Sequence, residues 1–278
     1  MEKENKNGTL YIVATPIGNL EDITLRAIRI LKEADLIAAE DTRHTLKLLN
    51  HLEIKKPLIS YYKENEIIKS EVLIEKLLEG KNIALVSDAG TPAISDPGAV
   101  VVKRAIEEKI EVVPIPGACA LINALITSGI NTQEFSFLGF LPVNKKEKRE
   151  KLNNLKEEKR TLIFYESPHK LIDTLNIMLE EFGERNIVLA RELTKIHEEY
   201  IRGKLSSVIQ NMQEPRGEFV VVVEGSNEEF QKNRYKDLSL EEHYKIYENQ
   251  GLEKKEIIKK IAKDRNTNKN EIYKYFFN

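Results

Sequence analysis

From residue 10 to about residue 130, apolar runs of strand length alternate with amphipathic stretches of helix length, a pattern that narrows the possible folds sharply. Residues 10–14, 36–39, 83–86 and 111–113 read as buried strands, with helices expected at about 22–34, 66–79, 98–109 and 118–128. Strands and helices in strict alternation join through right-handed crossovers, so an α/β unit with a largely parallel sheet is expected. Ligands in such units sit at the carboxyl ends of the strands.

The chain has 278 residues, more than one core of roughly 100–200 residues usually holds. The composition changes after Gly139-Phe140-Leu141-Pro142: residues 144–160 carry eight Lys/Arg against four Glu and read as an exposed helix or loop. A second α/β set follows, with strands at 161–165, 187–191 and 219–224, an extended run near 198–202, and helices at 167–182 and 205–212. The unbroken Phe219-Val220-Val221-Val222-Val223 reads as a central strand buried on both faces. Residues 226–237 read as a linker. Three short helices are expected near 239–249, 253–263 and 268–276, where residues 251–278 hold a local charge of +4. This tail reads either as a helix-turn-helix-like module or as a bundle capping the body. The expected division is 1–117, 118–225, a linker over 226–237, and a helical module over 238–278.

Charged residues make up 32% of the chain but are mixed in sign, with a net charge of -2 and ample aliphatic residues. Disorder is excluded, and any nucleic acid must be met by local basic patches. The single cysteine, Cys119, has no partner for an internal disulfide and reads as a packing residue, which fits a reducing compartment. No apolar run approaches about 18 residues and residues 1–8 are polar, so a cytoplasmic protein without membrane association is expected.

Several loops combine backbone freedom with polar side chains. Ala14-Thr15-Pro16-Ile17-Gly18-Asn19-Leu20 follows the first strand, but neither a dinucleotide fingerprint nor a Walker sequence is present. The segment Val86-Ser87-Asp88-Ala89-Gly90-Thr91-Pro92-Ala93-Ile94-Ser95-Asp96-Pro97-Gly98 follows another strand, and its glycines and prolines permit close backbone approach to a ligand. The alternative for Asp96 is a helix N-cap in an ordinary strand-to-helix loop. Pro114-Ile115-Pro116-Gly117-Ala118 adds a third loop at the same sheet edge. Polar clusters end further strands: Glu40-Asp41-Thr42-Arg43-His44, Tyr165-Glu166-Ser167-Pro168-His169 and Arg191-Glu192-Leu193-Thr194-Lys195. Together they suggest a cleft between two α/β units. His44 and His169 lack partners at ligand spacing, so no metal site is expected.

These segments resemble the tetrapyrrole methylase superfamily, and within it the ribosomal RNA small subunit methyltransferase I family. The resemblance spans roughly residues 8–225 and rests on Ala14-Thr15-Pro16-Ile17-Gly18-Asn19-Leu20-Glu21-Asp22, Ala39-Glu40-Asp41-Thr42-Arg43, Ser87-Asp88-Ala89-Gly90-Thr91-Pro92, Phe164-Tyr165-Glu166-Ser167-Pro168-His169 and Ala190-Arg191-Glu192-Leu193-Thr194-Lys195. It implies two α/β domains with S-adenosylmethionine between them, and methylation of the ribose 2′-oxygen of a cytidine in the decoding region of 16S rRNA. The first loop lacks the glycine-rich form of the porphyrin-precursor enzymes, which favours the RNA branch.

By the same resemblance the cofactor is held by Pro16, Ile17, Asp88, Gly90, Thr91, Ile94, Gly117, Ala118, Tyr165 and Gly217. Lys195, Glu166, Asp41 or Asp88 would take the hydroxyl proton, with Lys195 and Glu166 preferred, while Arg43, Arg191 and Lys195 would clamp phosphate. RNA would meet Lys145, Lys146, Lys148, Arg149, Lys151 and the basic tail from Lys254 to Arg265. Tyr273, Tyr275, Phe276 and Phe277 would stack on bases or pack within the tail. A homodimer acting on the small subunit is expected. The competing readings are a tetrapyrrole-precursor methyltransferase and a nucleic-acid-binding regulator with a ligand-sensing body.

Overall fold

A computed structural model describes residues 7–226, 235, 238–249, 251–265 and 267–277. It separates into two compact units. The first runs to Ala124 and also takes in Glu192–Glu198, and the second comprises Leu125–Arg191 and the chain from Glu199 onward. The division thus falls at 124/125 rather than at 117/118, inside a helix, and a distant segment returns to the first unit.

The first unit holds β1 (Thr9–Val13), α1 (Leu25–Glu33), β2 (Leu36–Ala39), α2 (Thr42–His51), β3 (Leu58–Ser60), α3 (Glu66–Leu78), β4 (Ile83–Val86), α4 (Ala99–Glu107) and β5 (Glu111–Ile115), followed by the start of α5 (Ala120–Ser128). Its sheet is wholly parallel in the order β3-β2-β4-β1-β5. Every residue of β4 is buried, as a parallel strand covered on both faces requires. Helix α1 starts where Thr24 Oγ1 accepts the Ala27 amide at 3.1 Å, and it buries Ala27, Ile30 and Leu31 against the sheet. A second apolar layer, built on Leu73, Leu77, Val101 and Ala105, includes Leu10 and Leu85.

The second unit is mixed. Its sheet, β6 (Phe135–Phe140), β7 (Thr161–Glu166), β8 (Asn186–Arg191), β9 (Glu199–Lys204) and β10 (Phe219–Val223), runs in the order β6-β7-β10-β8-β9. Strand β10 is central and fully buried, as its composition implies, but it is antiparallel to both neighbours. The long α7 (Pro168–Phe182) begins with proline at its first position, ends at Gly183 with φ of +73°, and buries Leu171, Leu175, Ile177, Met178 and Phe182. Helix α8 (Leu205–Asn211) adds Leu205 and Val208 to the same core.

The basic stretch after residue 144 forms α6 (Lys145–Asn154), not a loose loop. Lys148 is expected at the surface from its charge, yet it is buried, its Nζ donating to Thr174 Oγ1 at 2.8 Å. It therefore drops out of the basic surface. Arg149 bonds to Glu180 and Glu181, and Lys151 Nζ donates to the Leu138 carbonyl at 3.2 Å.

Gly225, just beyond β10, lies where a Cβ would come within 1.8 Å of the Lys159 carbonyl oxygen. Backbone rather than a flexible side chain blocks that space. Gly225→Ala is expected to lower stability by about 1–3 kcal/mol, read as a fall in the urea midpoint at unchanged slope.

The tail forms α9 (Leu240–Glu248), α10 (Lys254–Asp264) and α11 (Lys269–Phe277). Ser239 and Glu242 make a reciprocal capping box at the start of α9. Tyr247, Ile257, Ile258, Ile261, Ala262 and Ile272 form the core of this bundle, which clusters with the second unit. Phe276 packs at 4.7 Å from Tyr244, whereas Tyr273, Tyr275 and Phe277 are exposed. Arg265 is half-buried, its Nε donating to Nδ1 of the fully buried His243, while Lys254, Lys255, Lys259, Lys260 and Lys263 face solvent. Most of the expected linker over 226–237 lies outside the described residues.

Candidate active site

The carboxyl ends of β1, β4 and β5 converge through backbone contacts. Thr15 and Gly90 form an isolated antiparallel bridge, the Thr15 amide donating at 2.9 Å and the Gly90 amide at 3.1 Å. Gly90 has φ of +78°, and a Cβ there would meet Ile17 at 3.1 Å. A Cβ on Gly117 would lie 2.9 Å from that of Ala14. The Thr91 hydroxyl donates to the Ala118 carbonyl at 3.2 Å, and the Thr15 hydroxyl to the Ser87 carbonyl at 3.3 Å. Pro16, Ile17, Asp88, Gly90, Thr91, Gly117 and Ala118 are thus drawn together in the first unit, with Ile94 exposed on the same long loop. A small pocket beside them is lined by Thr15, Pro16, Leu20, His44, Thr45, Leu48, Ser87 and Asp88.

Residues 192–198 join this side of the first unit. Gly18 faces them so closely that a Cβ would lie 2.4 Å from Lys195 Cγ and 2.9 Å from Thr194 Oγ1. Glu192 and Thr194 hold φ of +50° and +67°, a region costly for residues with a side chain, above all a β-branched one. The turn is tied by the Lys195 amide to the Glu192 carbonyl at 3.0 Å and by the Thr194 amide to Glu198 Oε2 at 2.6 Å. Lys195 Nζ donates to Glu192 Oε1 at 3.0 Å. The Thr194 hydroxyl is buried with no hydrogen-bond partner among the described residues. Backbone strain and an orphaned hydroxyl beside a glycine loop are marks of a ligand site.

The acidic candidates separate by environment. Asp41 caps α2, accepting from the Arg43 amide at 2.8 Å and from its Nε at 3.1 Å. The Arg43 guanidinium hydrogen-bonded to it holds the carboxyl well below the usual carboxylate range, so it is a poor proton acceptor. Asp88 accepts from the Asp41 amide at 3.0 Å, and the Asp88 amide points to Glu40 Oε2 at 3.4 Å. Burial first, then the charges of Asp96 and Asp88, push Glu40 up against the lowering effect of the Asp88 amide. Asp96 is also pushed up, by burial and by Asp88. It is not the cap of α4: Gly98 occupies that position, and Glu66 Oε1 accepts the Gly98 and Val100 amides at 2.8 and 3.4 Å.

A raised carboxyl binds its proton more tightly in the folded than in the unfolded chain. Its stabilising contribution is complete below the unfolded value and is lost as pH rises through the folded one. Asp96→Asn is therefore expected to raise the urea midpoint at pH 7, with the gain vanishing below about pH 4.

Tyr165, Glu166 and Gly217 belong to the second unit. Tyr165 packs edge-on to Phe137 and Phe140 at 4.9 and 5.6 Å. Glu166 is 5% exposed, its Oε1 accepting the Ser167 amide at 2.9 Å and its Oε2 the Thr174 hydroxyl at 2.6 Å. Gly217 has φ of +85°, next to Arg216, whose carbonyl accepts from Arg191 Nε at 2.7 Å. Arg191 also pairs with Glu199 at 3.0 Å. Sequence reasoning did not single out Glu192 as the partner of Lys195, although their spacing of three was visible. Nor did it connect Glu40 with Asp96.

Residues 9–209 match the family model of the Tetrapyrrole (Corrin/Porphyrin) Methylases. The chain is 51% identical to ribosomal RNA small subunit methyltransferase I of Halalkalibacterium halodurans, over 99% of this chain and 96% of that protein. It is 52% identical to the protein of the same name from Bacillus subtilis, over 96% and 93%. Solved structures share the fold: uroporphyrin-III C-methyltransferase from Thermus thermophilus complexed with S-adenosyl homocysteine aligns with a TM-score of 0.56 and 17% identity, over 78% of this chain and 97% of that one. Diphthine synthase aligns with a TM-score of 0.58 and 15% identity, over 78% and 90%. Half the residues are shared with the ribosomal RNA enzymes and fewer than a fifth with these two structures, so the chain belongs to the ribosomal RNA small subunit methyltransferase I family of the tetrapyrrole methylases.

Proposed function

We propose that the protein methylates the ribose 2′-oxygen of one cytidine in the decoding region of small-subunit ribosomal RNA, with S-adenosylmethionine as donor. The observation that carries this reading is the backbone cradle formed by the Thr15–Gly90 bridge and Gly117, with Lys195 and the orphaned Thr194 hydroxyl docked against Gly18. A wall of small residues leaves room for a bulky nucleoside, and the unpartnered hydroxyl offers it a polar contact. Residues Pro16, Ile17, Asp88, Gly90, Thr91, Ile94, Gly117 and Ala118 of the first unit would hold it.

When bound, S-adenosylmethionine supplies an electrophilic methyl group, whose bond to sulfur breaks as the bond to the ribose oxygen forms and whose sulfur keeps the electron pair. The protein mainly has to align acceptor and donor, an effect worth up to about 7–11 kcal/mol in favourable cases. Lys195 takes the proton that the ribose hydroxyl loses, acting as the neutral amine after its own extra proton has passed to the Glu192 carboxylate, to which its Nζ donates at 3.0 Å. Glu166 is too deeply engaged in its own hydrogen bonds to do so, and Asp41 is too acidic. The exposed lysines of α6 and α10 meet RNA phosphates. The same reading has the protein work as a cytoplasmic homodimer; no helix among the described residues is long and apolar enough to cross a membrane.

The test is transfer from labelled S-adenosylmethionine to small subunits that lack ribose methylation, followed by mapping of the product. A single ribose-methylated cytidine in the decoding region is expected. Labelling of a base, or of no ribosomal RNA at all, would overturn the reading.

A further inference from the structure

Strand β6 ends in an irregularity that displays an aromatic ring. Phe135, Ser136 and Phe137 pair with Thr161, Leu162 and Ile163 of β7, but the next pair is Phe140 with Tyr165. Three residues of β6 thus advance against two of β7, a β-bulge, and Gly139 within it has φ of +63°. An uninterrupted strand would send residues 137 and 140 to opposite faces. The bulge instead brings both rings onto Tyr165, edge-to-face at 4.9 and 5.6 Å with interplanar angles of 66° and 63°.

Phe140 nevertheless stays 58% exposed, and Val143 beyond it 76% exposed. A ring braced by a second ring yet open to water is poorly explained by packing alone. Directly after it come the exposed Lys145 and Lys146 at the start of α6. Lys145 pairs only loosely with the exposed Asp173, at 3.6 Å. Basic side chains beside a braced, exposed aromatic are the arrangement by which proteins hold unpaired nucleotides, the ring stacking on a base and the cations meeting its phosphates.

We propose that Phe140 is the stacking platform for an unpaired base of the substrate RNA, with Lys145 and Lys146 taking the flanking phosphates. This rests on the ribosomal RNA reading above and names the residue that would engage the acceptor strand. The donor's adenine is the other nucleobase available to such a ring, so the test separates the two.

The chain contains no tryptophan, so Phe140→Trp gives a single reporter at this site. Its fluorescence is expected to be quenched by a single-stranded RNA spanning the target and to be unmoved by S-adenosylmethionine alone. In parallel, Phe140→Ala is expected to raise KM for small subunits roughly 5- to 100-fold while leaving the Kd for S-adenosylmethionine unchanged, and Phe140→Tyr to restore KM. A reporter that responds to S-adenosylmethionine and not to RNA overturns the proposal. So does a Phe140→Ala enzyme with normal KM, or one whose only change is a smaller sedimentation coefficient, which assigns the ring to a contact with a second copy. Each of these outcomes requires a wild-type enzyme that methylates subunits; failure of the wild type itself would count against the ribosomal RNA reading instead.

Discussion

Replacing Lys195 by alanine is expected to lower kcat for methylation of small subunits by roughly 10²- to 10⁴-fold, the usual worth of a positioned proton acceptor. The Kd for S-adenosylmethionine, measured by calorimetry, should change little. Lys195→Arg separates two roles for the ammonium. A phosphate clamp survives the exchange, because guanidinium binds phosphate at least as well, whereas a proton acceptor does not, because guanidinium stays protonated. The expected result is that arginine fails to restore turnover. The backbone around Lys195 sets it apart from an ordinary surface lysine. Glu192 and Thr194 are both held at positive φ, at a cost of order 1–3 kcal/mol each, in the turn that presents Lys195 to Gly18. A side chain serving only solubility needs no such arrangement. Near-normal turnover in Lys195→Ala would remove it from the mechanism.

The parts of this molecule that were legible in the sequence are those decided locally. Alternation of apolar runs and amphipathic helices announced the parallel sheet of the first unit, and five consecutive apolar residues marked β10 as central. The direction of β10 was not legible, since burial on both faces requires apolar side chains whether the neighbours run parallel or antiparallel. Strand β3 is three residues long, directly after Pro57, and β6 contains Ser136 and Gly139, so neither presents a clean apolar run. Docking of residues 192–198 on Gly18 is a contact between remote segments, and no spacing rule reports it. Charge misled at Lys148: hydropathy places a lysine in water, but this one lies one turn before the buried Leu152 on the inward face of α6. Proton acceptors were equally illegible, because Asp41, Glu166 and Lys195 all end strands or follow them, and only their hydrogen-bond partners tell them apart.

Those partners lead to the second large effect, in the core of the second unit. Lys148 Nζ donates to Thr174 Oγ1, and the Thr174 hydroxyl donates to Glu166 Oε2, so two buried charges are bridged by one hydroxyl. Beyond this bridge, the charged neighbour of Lys148 among the described residues is the partly exposed Asp173, at 3.9 Å. Removing either charge leaves the other without its bridged counterpart, whereas removing both strands no charge and leaves only the Thr174 hydroxyl and the Ser167 amide without these partners, in a space that methionine and leucine can fill. Lys148→Met and Glu166→Leu are each expected to lose about 3–5 kcal/mol of stability in urea unfolding, and the double variant to lose much less than the sum. Glu166→Gln decides what the carboxylate is for. A glutamine keeps an acceptor for the Ser167 amide but removes the charge that faces Lys148 through Thr174, leaving Asp173 at 3.9 Å to offset it, so the expected loss is in stability, with turnover per folded molecule near that of the wild type. A Glu166→Gln protein of undiminished stability that no longer transfers methyl would return the proton-accepting role to Glu166 and take it from Lys195.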